Sequence, residues 1–355
     1  MNDPVANHPA AHRCPAPRRR KVIASFCLTV LGVGSNARAG GSMPKRVGVL
    51  FQGSRGPDAE SSEANFVEVM AEQGSKVGRD FVLVRAYCDS RLDHVRGAVD
   101  ELIRQRVDVI VLTTTDDMNV EAARVTRAVP MVFAQSFAPL ELGLVDSYAK
   151  PGRNLTGTTV YAGPGIQNKR IEYLRAIAPA ATRLFWLWGT GSASMPTVRG
   201  PTYEVGKTIE SDAATMGITA RVYVIRHSSE MPTALAEAAA WNAHALSGGG
   251  EPVYEARREL INFAARARLP SVFSVNNYVR DGGLLSYGVP DDESSALYGR
   301  FVSQIQRVLG GVPVETIPVE LPRRHNLLIN LKTARSLGLT VPATMLARAD
   351  ELIEK

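Results

Sequence analysis

"VDVIVLTTTDDMNVEAARVTRAVPMVFAQS", Val107 to Ser136, holds the reading on which the fold turns. An apolar run, Val107 to Leu112 interrupted only by Asp108, ends in three threonines and two aspartates. A helix-like segment follows, and then a second apolar run, "VPMVFA". Runs this short and this apolar suit strands buried on both faces of a parallel sheet. In open parallel sheets, ligands bind beyond the carboxyl ends of the strands, where loops meet helix N-termini. Those helix ends offer unpaired N–H groups and a partial positive charge. A strand that delivers hydroxyls and carboxylates to such an end is built to meet a small molecule.

The same sequence of elements occurs twice. "KRVGVLFQGS" from Lys45 and "TRLFWLWGTGS" from Thr182 are both apolar strands that end in Gly with Ser or Thr. Each leads into a helix-like segment stopped by a glycine, Gly74 or Gly217. "FVLVRAY" then matches "ARVYVIRH", "VDVIVLTTT" matches "AHALSGGG", and "VPMVFAQS" matches "LPSVFSVN". The loops after the first and third strands lie about 60 residues apart in both halves (Gly53 to Thr113, Gly189 to Ser247). Strand–helix alternation at this spacing predicts βαβ units and a parallel sheet in each half. The competing arrangement is one larger sheet with chance alternation. With two lobes, six polar loops face one another across a cleft. They are Gly53–Ser54, Thr113 to Asp117, Gln135–Ser136, Gly189–Thr190, Gly248 to Glu251, and Ser274 to Tyr278.

The ends of the chain read differently from its body. The formal charge is +6, but the first forty residues carry six basic groups against the single acid Asp3. Without them the chain has 35 basic and 34 acidic residues, so a nucleic-acid partner is not expected. "RRRK" precedes "VIASFCLTVLGVG" and "NARAGG": a charged region, an apolar region too short to span a bilayer, and small residues around a cut after Ala39. Residues 1–39 are therefore expected to be a signal peptide, and the mature protein a periplasmic one. A short N-terminal anchor is the alternative. The paired arginines would also suit twin-arginine export, although Val22 follows Lys21. Such a cut removes Cys14 and Cys27, and Cys88 alone makes neither an internal bridge nor a cysteine zinc site.

Near the C-terminus, "DDESSALYGRFVSQIQRVLGG" places Leu297, Phe301, Ile305 and Val308 on one helical stripe that ends in Gly-Gly. The final "VPVETIPVELPRRHNLLINLKTARSLGLTVPATMLARADELIEK" resembles the closing signature of bacterial ABC-transporter substrate-binding proteins of the tryptophan/tyrosine-transporter type. The likeness runs through "RVGVL", "RLDHVRGAVDELIRQRVDVIV", "VPMVFA", "KPGRNLTG" and "GGLLSYG" in the same order. It implies a type I periplasmic-binding fold with two Rossmann-like lobes joined by hinge strands. Lobe one is expected over 43–158, completed by part of 288–355, and lobe two over 159–287. Chain crossings are expected near 156–162, 285–290 and within 317–328. The resemblance also implies delivery of a captured solute to a permease driven by an ATPase, by a protein acting as a monomer. This chain departs from the family pattern at the rims: Thr114-Thr115-Asp116-Asp117 stands where relatives read T-P-A-A, and "SFAP" stands where they carry G-D-P.

The expected solute contacts are Gly53, Ser54, Thr114, Thr115, Asp116, Gln135, Ser136, Phe137, Tyr161, Gly189, Thr190, Gly250, Glu251, Asn276 and Tyr278. Asp116, Asp117 and Glu251 have a second reading, since each begins a helix and an acid there serves as a cap. Phe137, Tyr161 and Tyr278 are placed to stack on an aromatic solute or to pack, and Trp188 is nearest its strand's end. Arg55 and Lys169 are candidate partners for a substrate acid. No G-x-S-x-G elbow, P-loop or H-E-x-x-H occurs, and His94, His227, His244 and His325 are scattered. No catalytic residue, metal ligand or cofactor is assigned. The expected ligand is a small amino-acid-like or aromatic carboxylated molecule. A periplasmic sensing module serving a membrane receptor is the alternative function.

Overall fold

The computed structural model describes residues 43–159, 165–189 and 201–354. Residues from Met43 on form one compact unit. The expected signal peptide, Tyr161 and Thr190 lie outside the described residues.

The first half runs β1 (Lys45–Phe51), α1 (Pro57–Glu72), β2 (Phe81–Tyr87), α2 (Val95–Arg104), β3 (Val109–Thr113), α3 (Asp116–Val125), β4 (Met131–Ser136) and β5 (Leu155–Thr159). Its strands form a wholly parallel sheet in the order β2-β1-β3-β4-β5. The second half begins α4 (Gly165–Ile177), β6 (Arg183–Gly189), α5 (Pro201–Thr215), β7 (Thr219–Ile225), α6 (Met231–Ala240) and β8 (Ala245–Gly249). It continues with α7 (Glu251–Glu255), α8 (Arg257–Arg266), β9 (Ser271–Phe273), α9 (Asn276–Arg280) and β10 (Leu285–Gly288). Its sheet has the order β7-β6-β8-β9-β10, the same second-first-third-fourth-fifth permutation as the first. The duplicated pattern read in the sequence is thus a duplicated topology, and two sheets replace the single larger one.

Alternation within each strand explains why the runs are apolar throughout. In the first sheet Leu50, Ile110, Leu112 and Phe133 face α2 and α3 on one side. Their neighbours Val49, Phe51, Val109, Val111 and Val132 face the other side, with Phe66 and Met70 of α1. Successive side chains of a strand point to opposite faces, so a sheet covered on both faces needs apolar residues at every position. The second sheet does the same, with Leu184 and Trp186 on one face and Phe185 and Leu187 on the other.

After β10 the chain goes back to the first lobe. The predicted stripe lies on α10 (Asp291–Leu309), and its Phe301, Ile305 and Val308 fill the α1 face of the first sheet. The chain then runs beside β5, where Thr159 N–H donates to Glu320 O at 3.0 Å and Glu320 N–H to Gly157 O at 2.9 Å. It re-enters the second lobe as β11 (Asn326–Asn330), followed by α11 (Leu331–Leu337), α12 (Ala343–Leu346) and β12 (Glu351–Ile353). β11 pairs antiparallel with β10, and β12 is parallel to β11. The second sheet therefore extends past residue 287 to strands drawn from the C-terminal segment, which a count of βαβ units does not anticipate.

Candidate ligand cleft

The loops after β1, β3 and β4 make the rim of the first lobe. Thr113 Oγ1 donates to Leu50 O at 3.0 Å and so fastens β3 to β1. Thr114 Oγ1 donates to Asn119 Oδ1 at 2.7 Å, and Thr115 Oγ1 donates to Asp117 Oδ1. Asp116 turns toward β4, where its carboxylate accepts from Ser136 Oγ at 2.6 Å and from the N–H of Phe137 at 2.9 Å. Neither aspartate caps α3: Thr115 holds the cap position, and no side-chain cap bond forms. Asp116 is instead a tie between the exits of β3 and β4. Burial raises its pKa to about 6 against the opposing effect of its donors, and the nearby Asp117 adds to the rise.

On the second lobe the rim is backbone-rich. Gly250 has φ +89, and a Cβ there would lie 2.2 Å from Gly189 O. The exits of β6 and β8 therefore touch through two glycines, at a distance that any side chain would open. Glu251, at the start of α7, is exposed; desolvation of its carboxyl, and then the neighbouring Glu255, raise its pKa. Asn276 is 2% exposed and its Oδ1 accepts from Ser286 Oγ at 3.1 Å.

The two rims meet. Phe137, just past β4, and Trp188, near the end of β6, pack edge to face with ring centroids 4.7 Å apart. Ala138 joins the apolar cluster of the second lobe, and Phe137 and Trp188 pack against it. One ring follows the carboxyl end of a first-sheet strand and the other precedes that of a second-sheet strand, so the exits of β4 and β6 meet.

Two polar clusters hold the chain where it passes between lobes. Arg170 of α4, 5% exposed, donates from Nε to Tyr287 O at 2.7 Å and bonds Gln167 Oε1. Beside it the His325 ring lies 5.8 Å from that of Tyr287; burial and then the Arg170 charge lower its pKa, with Glu293 opposing. In the second cluster Arg300 pairs with Glu293 at 2.7 Å and lies 3.2 Å from Glu320. The Glu320 contact is ionic and lacks hydrogen-bond geometry, for Arg300 Nε has no directed partner. Glu293 Oε1 also accepts from the N–H of Arg323 at 2.9 Å.

Of the expected contacts, Gly53, Ser54, Thr114, Thr115, Asp116, Gln135, Ser136, Phe137, Gly189, Gly250 and Glu251 lie on these rims. Ser54 and Gln135 are exposed and Ser136 is buried. Two expectations are corrected. Tyr278 is 0% exposed and stacks on Phe273 at 4.3 Å inside the second lobe, and Asn276 also points inward. The reason is that β9 ends at Phe273, so Asn276, Tyr278 and Val279 form the buried side of α9. Lys169 pairs with Glu172 at 2.6 Å, and Arg55 is exposed. Sequence reasoning passed over Asn119, Arg170 and the Glu293–Arg300–Glu320 cluster. A polar residue inside an amphipathic helix carries no mark of its partner, which another segment supplies. A separate hollow of ≈ 440 Å³ lies between β2 and α2, beside Tyr87, His94 and Glu101, on the outermost strand of the first sheet. It lies on the far edge of that sheet from β4 and the Phe137–Trp188 contact.

Comparison with known proteins supplies the family. The profile described as "ABC transporter substrate binding protein" matches residues 62–353. A curated "Tyrosine-binding protein" of Clostridioides difficile (strain R20291) is 21% identical over 345 residues, covering 91% of this chain and 93% of that protein. A solved ABC domain in complex with L-Trp from Streptococcus pneumonia is similar with TM-score 0.70 at 19% identity, covering 87% of this chain and 100% of the other. A conserved domain protein from Vibrio cholerae also gives 0.70 at 19% identity, with 87% and 99% covered.

Proposed function

Because this chain belongs to the ABC transporter substrate binding protein family, we propose that it is the exported solute receptor of an importer, capturing a small amino-acid-like or aromatic carboxylated molecule between its lobes. The supporting observation is the Phe137–Trp188 contact, which brings the exit of β4 in the first sheet against the end of β6 in the second. A solute there touches loops from both lobes. It stabilises the closed arrangement by as much as its affinity for the closed form exceeds that for the open form. Hinge closure of this kind needs a few connecting residues that absorb the backbone change. The expected crossings near 285–290 and within 317–328 would supply those connections, together with the one near 156–162, of which 160–162 lie outside the described residues. The closed, loaded form is what a membrane permease receives, and its ATPase drives release. No bond is made or broken in capture.

Two relatives support the solute class: the curated one is named for tyrosine, and one solved relative holds L-Trp. The exposed Leu140 and Val275, at 41% and 37%, add apolar surface at the two rims. No helix among the described residues is long and apolar enough to cross a membrane. A thermal-shift panel of amino acids, aromatic acids, purines and sugars tests the reading. A true ligand at about 100 times its Kd adds roughly 2.7 kcal/mol of stability. Turnover of a panel member, or no shift with any amino or aromatic acid, would contradict it.

A further inference from the structure

Phe137 carries the contact between the β4 and β6 exits, yet it stands beyond the end of its own sheet. Pairing between β4 and β5 loses register between Phe133 and Ser136, and the last paired residues are Ser136 and Thr159. At the next position the carbonyl of Phe137 accepts from Thr159 Oγ1 at 3.4 Å, a long bond. Its N–H donates to the Asp116 carboxylate, 2.9 Å from Oδ2 and 3.2 Å from Oδ1. Ser136 Oγ donates to the same group at 2.6 Å, and the N–H of Ala138 adds a weaker interaction. Three successive residues thus turn donors onto one carboxylate. That carboxylate is partly buried at the start of α3, a helix whose Met118 and Ala122 pack in the first lobe's core. Asp116 therefore fastens the residue that reaches the second lobe to the packed body of the first.

The bond to the Phe137 N–H fixes the peptide plane from which the side chain leaves. Hydrogen bonds to an ionised acceptor are shorter and stronger than neutral ones, so this plane is held firmly. From it the ring meets Trp188 with centroids 4.7 Å apart and planes at 85°. Edge-to-face packing depends on both distance and angle, and a drift of the Phe137 backbone weakens it. Among the described residues the hydrogen bonds of Asp116 run to the β4 exit, so its influence on the second lobe passes through Phe137.

We propose that Asp116 is a positioning residue for lobe closure: it holds the Phe137 backbone so that the ring meets Trp188, and so sets how readily the lobes close on a solute that it does not itself touch. The proposal rests on the receptor reading above, and it concerns closure and not the choice of solute.

The test uses the full chain and two readouts. The Trp188 fluorescence is isolated in each background as the difference made by Trp188→Phe, which leaves Trp186 and Trp241 in place, and its exposure is followed by acrylamide quenching without ligand. Asp116→Ala should raise Trp188 quenching to the level of Phe137→Ala, and the double variant should go no further. Asp116→Asn keeps an oxygen for the Phe137 N–H, while the Ser136 hydroxyl turns to accept from the new amide. It should restore most of the wild-type quenching. Isothermal titration with L-tyrosine should find Asp116→Ala about 2- to 10-fold weaker, the scale of one edge-to-face pair, and no added loss in the Phe137→Ala background. Asp116→Ser, whose hydroxyl falls short of the Phe137 N–H, gives the same reading should the alanine variant not fold. A melting curve accompanies each variant. A lower melting point with wild-type Trp188 quenching would make Asp116 a brace without bearing on closure, and would overturn the proposal. Additive effects of Asp116→Ala and Phe137→Ala on affinity would also overturn it, since Asp116 would then act on the solute directly. Either result leaves the receptor reading standing as long as the wild type binds a member of the ligand panel. If the wild type binds none, the receptor reading fails and the closure role with it.

Discussion

Replacing Arg300 by methionine should cost the protein more than any single change on the cleft rims. Arg300 of α10 lies 2.7 Å from Glu293 and 3.2 Å from Glu320, and Glu293 is 6% exposed. The substitution keeps an unbranched apolar stem and removes the guanidinium, leaving the Glu293 carboxylate with only the N–H of Arg323 as a hydrogen-bond donor. Breaking a buried pair by removing one partner costs about 3–5 kcal/mol. For a chain of this size about 2 °C of melting temperature is lost per kcal/mol, so the midpoint should fall by about 6–10 °C. Adding Glu293→Leu should recover much of that loss, because an apolar pair of similar volume is close to neutral against a buried ion pair. Recovery should stop short of complete, since the Arg323 N–H loses its acceptor. The pH dependence has a definite sign. Burial pushes the Glu293 pKa up, but the Arg323 N–H and the Arg300 guanidinium outweigh it and hold the group below its usual value. A depressed acid adds stability that is present above the unfolded pKa and is lost as pH falls through the folded one. Circular-dichroism melts at pH 7 and below pH 4 should therefore show the wild type losing this contribution in acid and Arg300→Met having none to lose. A drop under about 1 kcal/mol for the single variant, or a double variant less stable than the single, would refute the reasoning.

Three further outcomes follow from the rims and the second lobe. Asp116 has the opposite sign to Glu293: with its pKa raised to about 6, it favours the fold as pH falls from about 6 toward 4. Asp116→Asn should flatten that part of the stability–pH curve. Phe137→Ala and Trp188→Ala should each loosen lobe closure, and a double-mutant cycle should give a coupling of about 0.5–1.5 kcal/mol, read as a shift in the small-angle scattering radius and in melting. Zero coupling would mean that the rings touch without holding the lobes. Tyr278→Phe should leave ligand affinity unchanged and hold or raise stability, because the phenol is buried without a partner. Weakened binding in calorimetry would return Tyr278 to the cleft wall.

The parts legible in the sequence are those that local chemistry decides. "FVLVRAY" is β2 from end to end, and the stripe through Leu297, Phe301, Ile305 and Val308 is the buried side of α10. Gly74 and Gly217, read as helix stops, take φ +92 and +73 just past α1 and α5. The rim loops were legible because each follows the end of a short apolar strand. Orientation within those loops was not legible. Nothing in "TTTDD" says that Asp116 reaches across to Ser136 while Asp117 stays with Thr115, for this depends on where the exit of β4 lies. Tyr278 misled because β9 is only three residues long, which puts the tyrosine on a helix and not in the exit loop. The antiparallel β11 escaped because "NLLIN" has the composition of any buried strand, and its direction is set by the route the chain takes back from the first lobe.

Hydrogen–deuterium exchange with and without a saturating amino acid bears most directly on whether the two rims form one binding crevice. Protection should appear together on residues 52–56, 113–119 and 135–138 of the first lobe and on 249–252 and 274–276 of the second, with the outer hollow beside Tyr87 unchanged. Protection confined to one lobe, or centred on the outer hollow, would contradict capture between lobes.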